Sequence, residues 1–130
     1  MRAADVKRMW QALADGDLAP VQAALAPDAK WRAVEDGPWN CENRTAILEV
    51  LARNVGDGRL AGSVEEIIEL EGRMIVAFRA DRARGRGAWP LDGGLRYVVL
   101  SIRGGEIVEM KGCRDRQTAL AYAGSADPGR

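Results

Sequence analysis

The sequence turns most sharply at Gly104-Gly105, a dipeptide set between two β-rich runs, Leu95–Arg103 and Glu106–Cys113. Paired glycines accept the positive φ angles of a tight turn, so this stretch predicts two antiparallel strands joined as a hairpin. Arg73–Arg82 is a third β-rich run, and Ser63–Leu70 a fourth, although Glu65-Glu66-Ile67-Ile68 also suits a helix. Before Gly62 the period is different. Val6, Met9, Trp10 and Leu13 recur at helical spacing, with Asp5 as candidate N-cap and Gly16 as stop. Asp17 caps a second short helix through Leu25, with Pro20 in the first turn, where its missing N–H costs little, and Pro27 as terminator. Lys30–Val34 alternates as a short strand. Asn43 then caps a third helix with the stripe Ile47, Leu48, Leu51 and Val55, closed by Gly56. Asp115 caps a last short helix through Ala121. Helices lead and a meander follows. The expected class is α+β: a curved antiparallel sheet closed into a cone by three N-terminal helices, with a short C-terminal helix.

Composition narrows the chemistry. The 130 residues amount to one domain, expected over 1–124 with a flexible tail at 125–130. Lys+Arg number 19 and Asp+Glu 19, a formal charge of +0. That balance argues against a dedicated binder of nucleic acid or anionic membranes, whose affinity rests on excess positive charge. With 0 His the usual general base and the commonest metal ligand are absent, as are Ser/His and Cys/His nucleophile pairs. No metal and no cofactor is expected. Any chemistry falls to carboxylates, Arg, Lys, Tyr and two thiols. Cys41 and Cys113 stand far apart with no C-x-x-C pair, and read as reduced intracellular thiols, a disulfide between them being the alternative. The N-terminus is charged at Asp5, Lys7 and Arg8 where a signal peptide needs an apolar run. No segment approaches 18 apolar residues, so a cytoplasmic location is expected.

A curved sheet closed by helices offers its interior to a ligand. Four Trp residues against one Phe make Trp31 and Trp39, which flank a loop, and Trp89, in another, candidates for a pocket rim. Core filling or a subunit contact is the plainer reading of any one of them. Arg79 and Asp81 lie two apart on a strand and so share a face. In a low-dielectric cavity the guanidinium would keep that carboxylate ionised, an arrangement suited to activating water. The rival reading is a solvated pair on the outer face, because Val76, Phe78 and Ala80 form an apolar alternation on the other side. The run Arg79, Arg82, Arg84 and Arg86 contains no interleaved aromatics for base stacking. In the last strand Val108, Met110, Gly112 and Arg114 share one face. Asp115 reads as a cap, and Cys113, without a His partner, as inert.

The segments ALADGDLAPVQAALAPDAKW (Ala12–Trp31), NRTAILEVL (Asn43–Leu51) and GGEIVEMKGCRDRQTALAYAG (Gly104–Gly124) resemble the superfamily of nuclear transport factor 2 and the SnoaL-like polyketide cyclases. The resemblance spans nearly the whole chain. It implies the cone-shaped barrel and a homodimer formed through the outer face of the sheet. Steroid-isomerase-like members place a Tyr on the first helix, an acid on the first strand and a protonated acid on the sheet. Those positions fall at Met9, about Ala33, and Tyr97 or Val98. Members like limonene epoxide hydrolase carry an Arg-x-Asp pair on a middle strand, which Arg79 and Asp81 match in type and spacing. Trp31, Ala33 and Gly112 stand where that group has Tyr, Asn and Asp. The match with the pair favours an inward-facing Arg79 and Asp81. What the resemblance implies is therefore a binder of a small, mostly apolar molecule, with acid/base catalysis of isomerase, cyclase or epoxide-hydrolase type. Asp81 would be the base, Arg79 its orienter and Tyr97 a hydroxyl donor. Met9, Trp10, Trp31, Ala33, Trp39, Met110, Gly112 and Arg114 would line the pocket. The alternative is a non-catalytic binding or dimeric assembly module with a filled cavity.

Overall fold

A computed structural model describes residues 1–34, 40–56, 62–80 and 95–124. Through them run α1 (Ala3–Ala14), α2 (Ala19–Ala24), β1 (Leu25–Arg32), α3 (Arg44–Gly56), β2 (Gly62–Leu70), β3 (Arg73–Ala80), β4 (Leu95–Arg103), β5 (Glu106–Cys113) and α4 (Arg116–Ala123). Two of the expected caps hold their helices as side-chain chemistry requires. Asn43 Oδ1 accepts from the Ala46 N–H at 2.9 Å, and Asp115 Oδ1 accepts from the Thr118 N–H at 2.7 Å. Asp5 does not cap α1. That helix begins at Ala3, and Asp5 sits inside the first turn with Oδ2 accepting the Arg2 N–H at 3.0 Å. Above all that hydrogen bond, and then the nearby positive charge of Arg8, holds its carboxyl below the usual carboxylate range.

The sheet is five-stranded and unclosed, in the order β1-β5-β4-β3-β2. β2 through β5 form the expected antiparallel meander, but β1 lies parallel to β5, so the sheet is mixed rather than antiparallel throughout. The chain leaves β1, passes through α3 and enters the far edge, which puts the two strands side by side with most of the chain between them. Pro27 does not end α2. It lies within β1, in the stretch between Leu25 and Lys30 where the register with β5 shifts, so its missing N–H falls in an interrupted part of an edge ladder.

The sheet has two covered faces. On the inner face Met74, Val76, Phe78, Val98, Leu100 and Met110 cluster with Val6, Trp10 and Leu13 of α1 and Ile47 and Leu51 of α3. On the outer face Ile75, Val99 and Cys113 pack with Ala119 of α4. β3 is therefore apolar on consecutive positions, with Met74 through Phe78 each 0–4 % exposed. The cysteines are free and buried, Cys41 in the inner cluster and Cys113 in the outer one, so the sheet itself separates them. Burial is the leading cause that raises both thiols above their ordinary pKa. No helix among the described residues is long and apolar enough to cross a membrane.

Candidate functional site

The alternation of β3 decides where its charged end points. Val76 and Phe78 belong to the inner cluster, so Arg79 emerges on the outer face. There it is exposed and pairs with Glu65, Nε to Oε1, at 3.6 Å. Tyr97 stands opposite Ala77 and Cys113 in the ladder and packs with Ile75 and Val99, also on the outer face. The inward orientation expected for Arg79 is thus corrected, and Tyr97 is placed away from the interior as well. For Arg79 the outward direction of the β3 alternation holds. Asp81, Trp39, Trp89, Arg82, Arg84 and Arg86 lie outside the described residues.

The inner face gathers a different set. Trp10, Trp31, Met9 and Met110 share one cluster. Trp31 pairs with Met110 across β1 and β5, and its N–H and C=O close an isolated bridge to Cys41 at 2.9 and 3.0 Å. Trp10 meets Phe78 with ring centroids 6.5 Å apart and planes tilted by 57°. Ala33 and Gly112 meet where the chain leaves β1. A Cβ at Gly112 would stand 3.2 Å from Val34 Cγ2 and 3.3 Å from Val34 N, so this glycine lets two backbones approach. Lys111 Nζ, donating to the Ala33 carbonyl at 2.8 Å, holds the same junction, while Arg114 is exposed just beyond β5.

Two polar groups on this apolar face were not singled out together by sequence reasoning. The indole Nε1–H of Trp10 is buried with no hydrogen-bond acceptor among the described residues, in a residue only 4 % exposed. Arg96 stands directly opposite Phe78 in the β3–β4 ladder, so its stem rises on the Trp10 side of the sheet, and its Nε is buried from solvent. The signal for Arg96 was present: it continues the alternation of Val98, Leu100 and Ile102, which are all inner-face residues. A cation at the end of an inward-facing apolar register is visible in LRYVVLSIR once the facing of that strand is known. Both groups are donors. Their chemistry matches a hydrogen-bond acceptor such as a carbonyl or carboxylate. Among the described residues no group of three or more His, Cys, Asp or Glu side chains is placed to hold a metal ion.

The family model of the SnoaL-like domain matches residues 6–110. No curated protein matches the sequence. Among solved structures, Bal32a from a soil-derived mobile gene cassette is 20% identical with a TM-score of 0.68, over 85% of this chain and 86% of that one. A Sinorhizobium meliloti protein classed as a polyketide cyclase is 17% identical with a TM-score of 0.66, over 85% and 94%. A nuclear transport factor 2-like protein of unknown function from Burkholderia pseudomallei is 24% identical with a TM-score of 0.63, over 92% and 93%. At these identities the solved structures share the fold.

Proposed function

We propose, from the premise that this chain belongs to the SnoaL-like domain family, that it binds a small, mostly apolar molecule against the inner face of the sheet and receives its carbonyl or carboxylate on Trp10 and Arg96. The observation that carries this reading is the Trp10 indole N–H, buried among apolar side chains with no acceptor among the described residues. A buried unsatisfied donor costs about 1–3 kcal/mol, and a ligand acceptor would recover that loss. The family match and the polyketide-cyclase neighbour support a ligand of this kind.

Turnover of isomerase, cyclase or epoxide-hydrolase type is the finer form of the proposal, with Asp81 as its base. Arg79 emerges on the outer face, where it pairs with Glu65. Inner-face packing favours a second reading, a binding or assembly module without turnover: Val76, Leu100 and Met110 are each 0 % exposed. A homodimer formed through the outer face would seat its partner beside α4, which already covers Ile75 and Val99. Cytoplasmic residence accords with the two free thiols.

The test is a thermal-shift screen of steroid, terpenoid and polyketide-like ketones and acids against the native chain and Trp10→Phe. A compound that binds only the folded state must raise its melting temperature. Expected is a hit whose apparent affinity drops at least about fivefold in Trp10→Phe, which keeps the aromatic surface and loses only the N–H. Hits that stabilise both chains equally remove Trp10 from the site. Unchanged turnover of any accepted substrate by Asp81→Asn removes the proposed base.

A further inference from the structure

A second polar site lies on the opposite side of the sheet. At the end of the sheet where the β2–β3 and β4–β5 turns meet, a cleft of about 160 Å³ is lined by Glu71, Gly72, Arg73, Ser101, Arg103 and Ala123, among others. The Ile102 N–H donates to the Gly72 carbonyl at 2.9 Å, which fixes one turn against the other strand. Arg73 and Ser101 are cross-strand partners, and Glu109 stands next to Ser101 in the same row.

All three are 6 % exposed, which is unusual for such residues. Arg73 and Glu109 have visible reasons to be there. Arg73 Nη1 donates to the Tyr122 and Ala123 carbonyls at 2.6 and 3.2 Å, at the C-terminal end of α4, and its guanidinium lies 5.2 Å from the Tyr122 ring centroid. The Glu109 carboxylate accepts the Tyr122 hydroxyl and lies 3.7 Å from Arg32 Nε. Ser101 has no such reason: it lines the cleft, and its Oγ is buried with no hydrogen-bond partner among the described residues.

We propose that this cleft binds a phosphate group, held by the Arg73 and Arg103 guanidinium groups and the Ser101 hydroxyl. The two cations outnumber the one carboxylate in the lining, that of Glu71. Planar guanidinium forks match phosphate oxygens in pairs, and a serine hydroxyl turns freely about its bond to meet an acceptor. Arg73 is already held rigid by α4, so little freedom is lost on binding. The cleft has room for a tetrahedral ion with part of its hydration, since it equals about five waters of liquid volume. The ligand chemistry is shared by the free ion and by a phosphomonoester.

The test is an amide-NMR titration of the native chain with inorganic phosphate and, separately, methyl phosphate, at constant ionic strength set with sodium chloride. Expected are saturable shifts at Gly72, Ser101 and Arg103 by roughly 10 mM, the millimolar range being ordinary for so small a ligand. The tighter of the two probes identifies the source. Ser101→Ala should fold as well as the native chain, because its Oγ has no hydrogen-bond partner among the described residues, and should bind at least about fivefold more weakly. Arg103→Gln, exposed, should weaken binding without unfolding. Shifts that grow without saturating for both probes, or affinity unchanged in both variants, overturn the proposal.

Discussion

Phe78 of β3 and Arg96 of β4 stand directly opposite each other, with their side chains on the face that α1 covers. Trp10 closes the group from the helix side through its contact with Phe78. Trp10 of α1, Phe78 of β3 and Arg96 of β4 are thus brought from three elements to one face of the sheet.

If that group receives a ligand acceptor, Arg96→Met should keep the packing of the stem while removing the charge. Titration of a screening hit, followed by tryptophan emission, should show affinity lower by about tenfold or more, the scale of a hydrogen bond to a charged donor. An unchanged affinity would leave Arg96 outside the site.

Leu100 lies at the centre of the inner face and is 0 % exposed. Leu100→Ala should cost about 2–5 kcal/mol, read as a lower urea midpoint at an unchanged slope.

Gly112→Ala brings a methyl within 3.2 Å of Val34 Cγ2 and 3.3 Å of the Val34 nitrogen. The side chain can turn away but the backbone nitrogen cannot do so cheaply, so a loss of about 1–3 kcal/mol is expected by thermal or urea melting.

Tyr122 donates its hydroxyl to Glu109, and burial first, then that bond, raises its pKa well above 10. A tyrosine whose pKa is higher folded than unfolded contributes stability that is complete below the unfolded value of 10. That contribution fades as pH climbs from there toward the folded value. Alkaline melts should therefore show a decline beginning near pH 10, and Tyr122→Phe should remove that component. The same variant should cost about 1–2 kcal/mol at neutral pH, because Glu109 stays buried with one donor fewer.

Asp115 behaves with the opposite sign. Its hydrogen bonds from Thr118, the backbone N–H foremost, lower its pKa from 3.8, so the stability it lends is present above that value and lost as pH falls below it. Asp115→Ala should flatten the acid limb of a pH melt and loosen α4, seen as faster amide exchange at Ala119.

Local chemistry made most of the fold legible. Asn43 and Asp115 announce their helices because a side-chain acceptor ahead of an apolar stripe has few other uses, and Gly104 and Gly105, at φ +61° and +81°, sit in a turn that favours glycine. Non-local pairing was harder to read. Nothing in Leu25–Arg32 tells the strand that its neighbour will be β5, or that the two run parallel. The site suffered from the same gap. Two arguments competed over Arg79, the alternation of its own strand and a likeness of residue pair, and the alternation won because burial of Val76 and Phe78 outweighs any preference of one exposed arginine. Arg96 escaped notice because an apolar alternation marks the facing of a strand only once the strand's covered side is known. Trp10 was chosen as a lining residue, but an indole without an acceptor is a property of three-dimensional surroundings and leaves no trace in sequence.

The parallel seam between β1 and β5 has a bearing on how the chain is made. A ribosome releases Leu25–Arg32 before α3, β2, β3 and β4, and the strand that completes it, Glu106–Cys113, follows only after them. Until then that ladder has no partner, and the earlier strands wait with an incomplete apolar layer. Birth of the native sheet therefore waits for its fifth strand, and a message cut short before Glu106 would yield a chain whose first strand lacks its place in the sheet.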